Sequence, residues 1–123
     1  MTASVYRLVT ANTTNLNQVR SGPSKVRGII AVNTAAYAIF VKLYWFQPTA
    51  SAAAPTVGTT PPSATIELPA LGTTTGGVMQ NFTEGFIGGS GNLYIAVTKL
   101  AADSDTTAVA AGDGLISLLV DPS

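Results

Sequence analysis

The chain has 123 residues, a formal net charge of zero and only 10% charged residues, against 46% hydrophobic residues. That length suits one domain with its own core, and the charge content lies far below the roughly 25% that is usual for soluble proteins. The sequence contains no cysteine and no histidine. This excludes disulfides, thiol nucleophiles, Ser-His-Asp hydrolysis and metal sites built on imidazole or thiolate. We therefore predict a single domain, residues 1–123, that is not an enzyme and needs no cofactor.

The charges are segregated along the chain. Five of the six basic residues precede Trp45 and all six acidic residues follow it, so the two parts carry charges of +5 and −5. Pairing within the fold is the favoured explanation, because strands from both parts must share one small sheet system. Pairing between copies is the alternative, and a near-neutral chain repels its own copies only weakly.

Alternating patterns, β-branched residues and short turns predict an all-β protein. The first predicted strand runs from Val5 to Val9 and is followed by a turn at residues 12–15. The next begins after Gly22-Pro23, since proline cannot donate to a strand ladder, and runs from Lys25 to Val32. Residues 33–36 are predicted to form a hairpin connection to the strand that follows.

That following strand, residues 37–46, is predicted to be the longest and is apolar on both faces. One face carries Ile39, Val41, Leu43 and Trp45, and the other carries Ala38, Phe40, Lys42, Tyr44 and Phe46. Such a strand is either central in a sandwich with a covered second face, or it places its aromatic side chains at an interface. Aromatic residues beside a single lysine favour the interface.

Residues 47–62, which we call the arm, contain no charge and are rich in Pro, Ala and Thr. A connection of this length is unusual in a compact domain. A proline-stiffened, uncharged segment is expected to lie against something, either its own domain or a neighbour. The predicted interface residues are Tyr44, Trp45, Phe46, Pro48, Pro55, Val57 and Pro61, with the basic Arg20 and Arg27.

Four further strands are predicted in the second half of the chain. They span residues 64–68, 78–82, 93–98 and 115–120, with a glycine-rich turn at 85–91 and a long connection at 101–114. About seven or eight strands at this spacing predict a single antiparallel β-sandwich, similar to a jelly roll.

Two segments superficially suggest ligand sites. The glycine-rich segment lacks the Lys-Ser/Thr and the following helix of a phosphate-binding loop, so a tight turn is the better interpretation. Asp103, Asp105 and Asp113 could offer oxygen ligands to Ca²⁺, but the spacing does not fit an EF-hand loop. Turns closed by side-chain to backbone hydrogen bonds explain the same residues, so calcium remains a weak hypothesis.

Other classes of function have less support. Glu67 and Glu84 are the only glutamates, and solvated positions explain them better than a glycosidase pair. The few basic residues, without net positive charge, do not predict nucleic-acid binding. The apolar stretch 28–46 is interrupted too early for a membrane helix, and Met1 is not followed by a basic and then apolar signal. We expect a soluble chain without a cleaved signal.

Four segments, in order along most of the chain, resemble a small β-sandwich protein encoded among the virion genes of tailed bacteriophages. They are NTAAYAIFVKLY (33–44), APTVGT (54–59), TIELPA (65–70) and DSDTTAVAAGD (103–113). The resemblance implies a structural virion protein, made in the host bacterial cytoplasm and placed on the outer capsid surface. Within that class it implies a capsid cement or decoration protein, a homotrimer that binds across subunits of the major capsid protein.

Two alternatives remain open at this point. One is a tail, connector or fibre component built on the same sandwich. The other belongs to a different class: a carbohydrate-binding module that uses Trp45 and Tyr44 on an exposed face. If the arm binds the capsid, deleting residues 51–55 is expected to leave a folded domain that no longer binds.

Overall fold

The computed structural model describes residues 4–71, 77–81 and 87–122. Within these residues the chain forms nine β-strands and no helix, which confirms the all-β prediction. The strands are β1 (Ser4–Val9), β2 (Asn17–Arg20), β3 (Ser24–Asn33), β4 (Ile39–Phe46), β5 (Ala64–Leu68), β6 (Gly77–Asn81), β7 (Ile87–Gly89), β8 (Asn92–Thr98) and β9 (Gly114–Pro122).

The strands form two antiparallel sheets. One sheet has the order β1-β9-β3, with β6 and β7 pairing successive parts of the remaining edge of β3. The other has the order β2-β8-β4-β5. Because β6 and β7 share one strand position, each sheet is four strand positions wide. The order in which the chain passes between the two sheets is that of a double Greek key. This confirms the predicted jelly-roll type of sandwich.

The core lies between the two sheets and is made by alternate residues of the central strands. Its fully buried members include Val26, Ile29, Ile39, Val41, Leu43, Leu68, Leu93, Ile95, Val97, Ile116 and Leu118. Of the two faces that alternation gives β4, the one with Ile39, Val41 and Leu43 points into the core, and Trp45 packs against the same cluster.

A β-bulge shapes the middle of β3. Val26 pairs with Val120 and Gly28 pairs with Leu119, so Arg27 is an extra residue in β3. The bulge lets Val26 and Ile29 both point into the core although they are three residues apart.

The predicted hairpin at residues 33–36 is wrong. β3 and β4 lie in different sheets, and both edges of β3 are taken by strands distant in sequence. Asn33 is buried where the chain crosses over, and its side-chain amide donates to the backbone carbonyls of Tyr37 at 2.8 Å and Leu68 at 3.1 Å. These bonds satisfy backbone groups at the end of the sandwich, where no ladder continues.

Two short strands were not predicted. β2 is only four residues long and mostly polar, and β7 lies within the segment interpreted as a glycine-rich turn. At Gly89 an added Cβ would lie 2.5 Å from Cγ of Trp45, so glycine allows β7 to pass directly over the indole. Gly85 and Phe86, together with Phe82 at the predicted end of the preceding strand, are outside the described residues.

Candidate functional site

The sandwich has two outer sheet faces, which differ in whether loops of the same chain cover them. The outer face of β2-β8-β4-β5 lies beneath two loops of the same chain, and we call it the covered face. The outer face of β1-β9-β3 exposes apolar side chains, and we call it the open face.

The arm lies on its own domain, across the covered face. Ala54 and Val57 pack against Tyr44 and Tyr94, which project outward from β4 and β8. Pro55 is buried, and Tyr44 is only 1% exposed. Of the two interpretations of β4, the structure therefore has the central strand with a covered second face. Tyr44 and Pro55 consequently have no surface to offer a partner.

The second loop over this face, residues 99–113, contacts the arm at Gly58. Gly58 has a φ of +92°, and an added Cβ would lie 2.5 Å from Cγ2 of Thr106 and 3.3 Å from the carbonyl oxygen of Ser104. The two loops thus close over the sheet together, and glycine is required at their contact for both its conformation and its size.

Lys42 is the buried charge beneath these loops. Its side chain is completely buried, and its ammonium group donates to the carbonyl oxygen of Ala102 at 2.6 Å. Burial lowers the pKa of this amine, and the nearby carboxylates of Asp105 and Asp103 oppose that shift. Lys42, the basic residue of β4, therefore lies near carboxylates from the acidic half of the same chain.

Asp105 and Asp113, two of the three carboxylates considered for calcium, have hydrogen-bond partners within the chain. Asp105 accepts hydrogen bonds from the Leu100 amide at 3.0 Å and the Thr107 hydroxyl at 2.7 Å. Burial acts to raise the pKa of Asp105, but these bonds and the charge of Lys42 lower it overall. Asp113 accepts a hydrogen bond from the hydroxyl of Tyr37. In the described part of the chain no group of three or more acidic side chains is arranged to hold a metal ion.

The aromatic pair at the end of β4 is fixed by close backbone contacts. The indole N–H of Trp45 donates to the hydroxyl of the buried Ser24 at 3.1 Å, and the ring packs beneath Gly89. At Gly91 an added Cβ would lie 2.6 Å from the backbone of Phe46. Trp45 thus connects the two sheets and does not present the flat exposed ring that stacking on a sugar requires.

The remaining predicted interface residues are dispersed over the molecule. Pro48 and Pro61 are exposed, whereas Phe46 and Val57 are half-buried. Nε of Arg20 is buried without a hydrogen-bond partner. Arg27 forms an ion pair with Asp121 across the β3–β9 ladder, so the two oppositely charged halves meet within one chain at this point.

The open face carries apolar side chains in cross-strand rows. Val9, Leu115 and Val32 form one row, and Val5, Leu119 and Gly28 form another, with Arg7, Ser117 and Ile30 between them. The most exposed of these apolar side chains are Val5 at 68%, Ile30 at 58%, Val9 at 44% and Leu119 at 36%. Four of the six exposed large hydrophobic side chains among the described residues lie on this face, which makes it the candidate interaction surface.

A depression lies in this face where Gly28 contributes no side chain. It has a volume of about 140 Å³ and is walled by Val5, Ile30 and Leu119. The depression opens to solvent, and its lining is almost entirely apolar. It is therefore shaped to receive an apolar side chain of a partner.

Basic side chains border the open face. Arg7 and Lys25 are exposed and Arg27 is half-buried, while Asp121 is the one acidic residue within strands β1, β3 and β9. Within these three strands, the basic side chains therefore outnumber the acidic ones by three to one.

Sequence reasoning missed the open face. The second half of β3 and most of β9 are apolar at both alternating positions, which is typical of strands covered on both sides. Only the outward Val5, Arg7 and Val9 of β1 indicated a half-exposed strand.

No protein-family model, curated protein or solved structure matches the chain. Among the described residues, no helix is long and apolar enough to span a membrane.

Proposed function

We propose that this protein is a structural component of a tailed-bacteriophage particle, namely a cement or decoration protein that binds across subunits of the major capsid protein. The observation that carries the proposal is the open face, an apolar surface with a basic rim on a sandwich whose other outer face is covered by its own loops. Such a surface suits binding by burial.

Three further features agree with this role. The jelly roll recurs in viral capsid proteins, although it also occurs in lectins and cupins, so the fold alone does not decide the function. The net charge of zero allows many copies to lie close together on a lattice. The resemblance of four segments to small virion proteins points to the same class.

The proposed mechanism is multivalent attachment. Each copy contributes a modest surface, and a homotrimer placed where capsid subunits meet contacts several of them at once. Contacts that are weak individually then act together, because the second and third binding events are intramolecular. The capsid becomes more stable because separating its subunits requires breaking these contacts as well.

The test uses capsids assembled without this protein, to which the purified chain is added back. We expect saturable binding at many copies per particle and an increase in the temperature at which the capsids open. Size-exclusion chromatography with light scattering measures whether the free protein is a trimer. Binding at only a few copies, confined to the tail or its connector, would instead identify the protein as a tail component. No binding to any part of the particle would reject the proposal.

A further inference from the structure

We propose that the open face is the capsid-binding surface, and that it receives an apolar side chain projecting from an acidic-rimmed surface of the capsid subunit. This inference rests on the proposed function and adds to it the location of the contact and the chemistry of the partner. The arm, which the sequence suggested for this role, is occupied in covering Tyr44 and Tyr94.

The shape of the face indicates how the contact is made. Val5, Ile30 and Leu119 surround the depression over Gly28, so a protruding apolar group would be enclosed on three sides. Enclosed apolar pockets at the centre of an interface contribute most of its binding energy, because the inserted group loses contact with water.

The charges indicate what surrounds that apolar group on the partner. Arg7 lies on the edge strand β1 between the two apolar rows, and Lys25 and Arg27 lie beside Asp121 beyond the row that contains Gly28. Opposite charge on the partner accelerates encounter and fixes orientation, whereas a second positive rim would be repelled. Carboxylates around the inserted side chain are therefore the complementary arrangement.

The same charges and the size of the face argue against a second copy as the occupant. Two open faces brought together would oppose one positive rim to another. Val5, Val9, Ile30 and Leu119 are each only partly exposed, so together they can supply only part of a stable interface. A stable specific interface buries about 800 Å² on each partner. The apolar patch thus fits the centre of one weak contact among several on a lattice.

The experiment measures binding of purified variants to capsids assembled without the protein. Ile30→Asp and Leu119→Asp each place a carboxylate in the centre of the face, and we expect binding to weaken at least about tenfold. Leu100→Asp is the matched control, because Leu100 has the same 58% exposure as Ile30 but lies on the 99–113 loop. We expect it to bind like the unmodified protein.

A second pair of variants tests the charged rim. Arg7→Glu and Lys99→Glu change the net charge equally but at different surfaces. Lys99 belongs to the 99–113 loop, and its ammonium group lies 4.4 Å from the centre of the Tyr37 ring. We expect only Arg7→Glu to weaken binding, and binding of the unmodified protein to weaken as salt concentration rises.

A labelling experiment gives a result even if an aspartate variant does not fold. Because the chain has no cysteine, Ile30→Cys and Leu100→Cys each introduce a unique thiol. On the capsid, the thiol at position 30 should be protected from alkylation while that at position 100 stays reactive.

The outcomes separate this inference from the proposed function. If the unmodified protein binds capsids but Ile30→Asp binds equally well and the thiol at position 30 stays reactive, the open face is not the docking surface and the proposed function stands. If Ile30→Asp instead lowers the oligomer mass, the face joins copies of this chain and the inference is overturned. If the unmodified protein does not bind capsids, both are rejected.

Discussion

Lys42 shows how the setting of one residue can reverse its expected role. Its position among aromatic residues on β4 suggested an interface, yet the amine is buried and bonded to the carbonyl of Ala102. Burying an ammonium group costs free energy that one hydrogen bond and two nearby carboxylates offset only in part. The lysine therefore makes stability depend on pH.

We predict that the free energy of unfolding rises in alkaline solution because of Lys42. The native pKa lies below the ordinary 10.5, so on raising the pH the native amine loses its proton before the unfolded chain does. Stability contributed by this group is therefore lowest at neutral pH and increases up to about pH 10.5. Burial raises the pKa of Tyr6, Tyr37 and Tyr44, which acts in the opposite direction above about pH 10.

Urea unfolding of the unmodified protein and of Lys42→Met between pH 7 and 10 isolates the contribution of Lys42 to the free energy of unfolding, because both proteins contain the same tyrosines. The unmodified protein should gain stability relative to Lys42→Met as the pH rises. Lys42→Arg keeps its charge throughout and should be less stable, with no such gain. A difference that stays constant with pH would contradict the desolvation of the amine.

The arm and the 99–113 loop are the elements that make the two outer faces unequal. They contact one another at Gly58 and together cover the outward side chains of β4 and β8. The arm buries Pro55 and packs Ala54 and Val57 on Tyr44 and Tyr94. Deleting residues 51–55 should consequently destabilise the covered face. This replaces the expectation of an intact domain that has lost only its binding segment.

We predict that Gly58→Ala is more destabilising than Gly22→Ala, although both glycines have positive φ. The left-handed conformation should cost about 1–2 kcal/mol at either position. At Gly22 an added Cβ meets no atom within 4 Å, whereas at Gly58 it would collide with Thr106. Displacing the Thr106 side chain from its rotamer should add about 0.5–1.5 kcal/mol. Denaturant unfolding of both variants measures the difference, and equal losses would mean that the arm and loop are not packed together.

Two of the strand pairings join the beginning of the chain to its end. β1 pairs with β9 and β2 pairs with β8, so each sheet contains strands from the beginning and the end of the sequence. Neither half of the chain can complete a sheet alone, and the ion pair between Arg27 and Asp121 joins the two halves across the β3–β9 ladder. The fold is expected to form and to unfold as one unit.

We predict a two-state unfolding transition and slow folding. Fluorescence of Trp45, the single tryptophan, and far-ultraviolet circular dichroism should give coincident denaturation curves. Refolding should take milliseconds to seconds, because the pairing strands are far apart in sequence. Transitions that separate, or refolding in microseconds, would show that part of the chain folds independently.

The amino-acid sequence by itself determined the fold class and most of the strands. Alternating side chains, prolines and glycines act locally, so β1, β4, β5 and β8 could be predicted from their own residues, and so could the division of β4 into two faces. The exclusion of thiol and imidazole chemistry needed only the composition. The short polar β2 and the glycine-containing β7 carry too weak a local pattern to be recognised.

Only the tertiary structure decided which strands are neighbours and which surfaces are free. The residue pattern of β4 is the same whether a partner or the arm covers Tyr44, because alternation shows that a face is apolar but not what lies on it. For the same reason the apolar runs of β3 and β9 do not reveal that Ile30 and Leu119 lie in solvent. Burial depends on contacts between residues distant in sequence, and those contacts exist only once both sheets have formed.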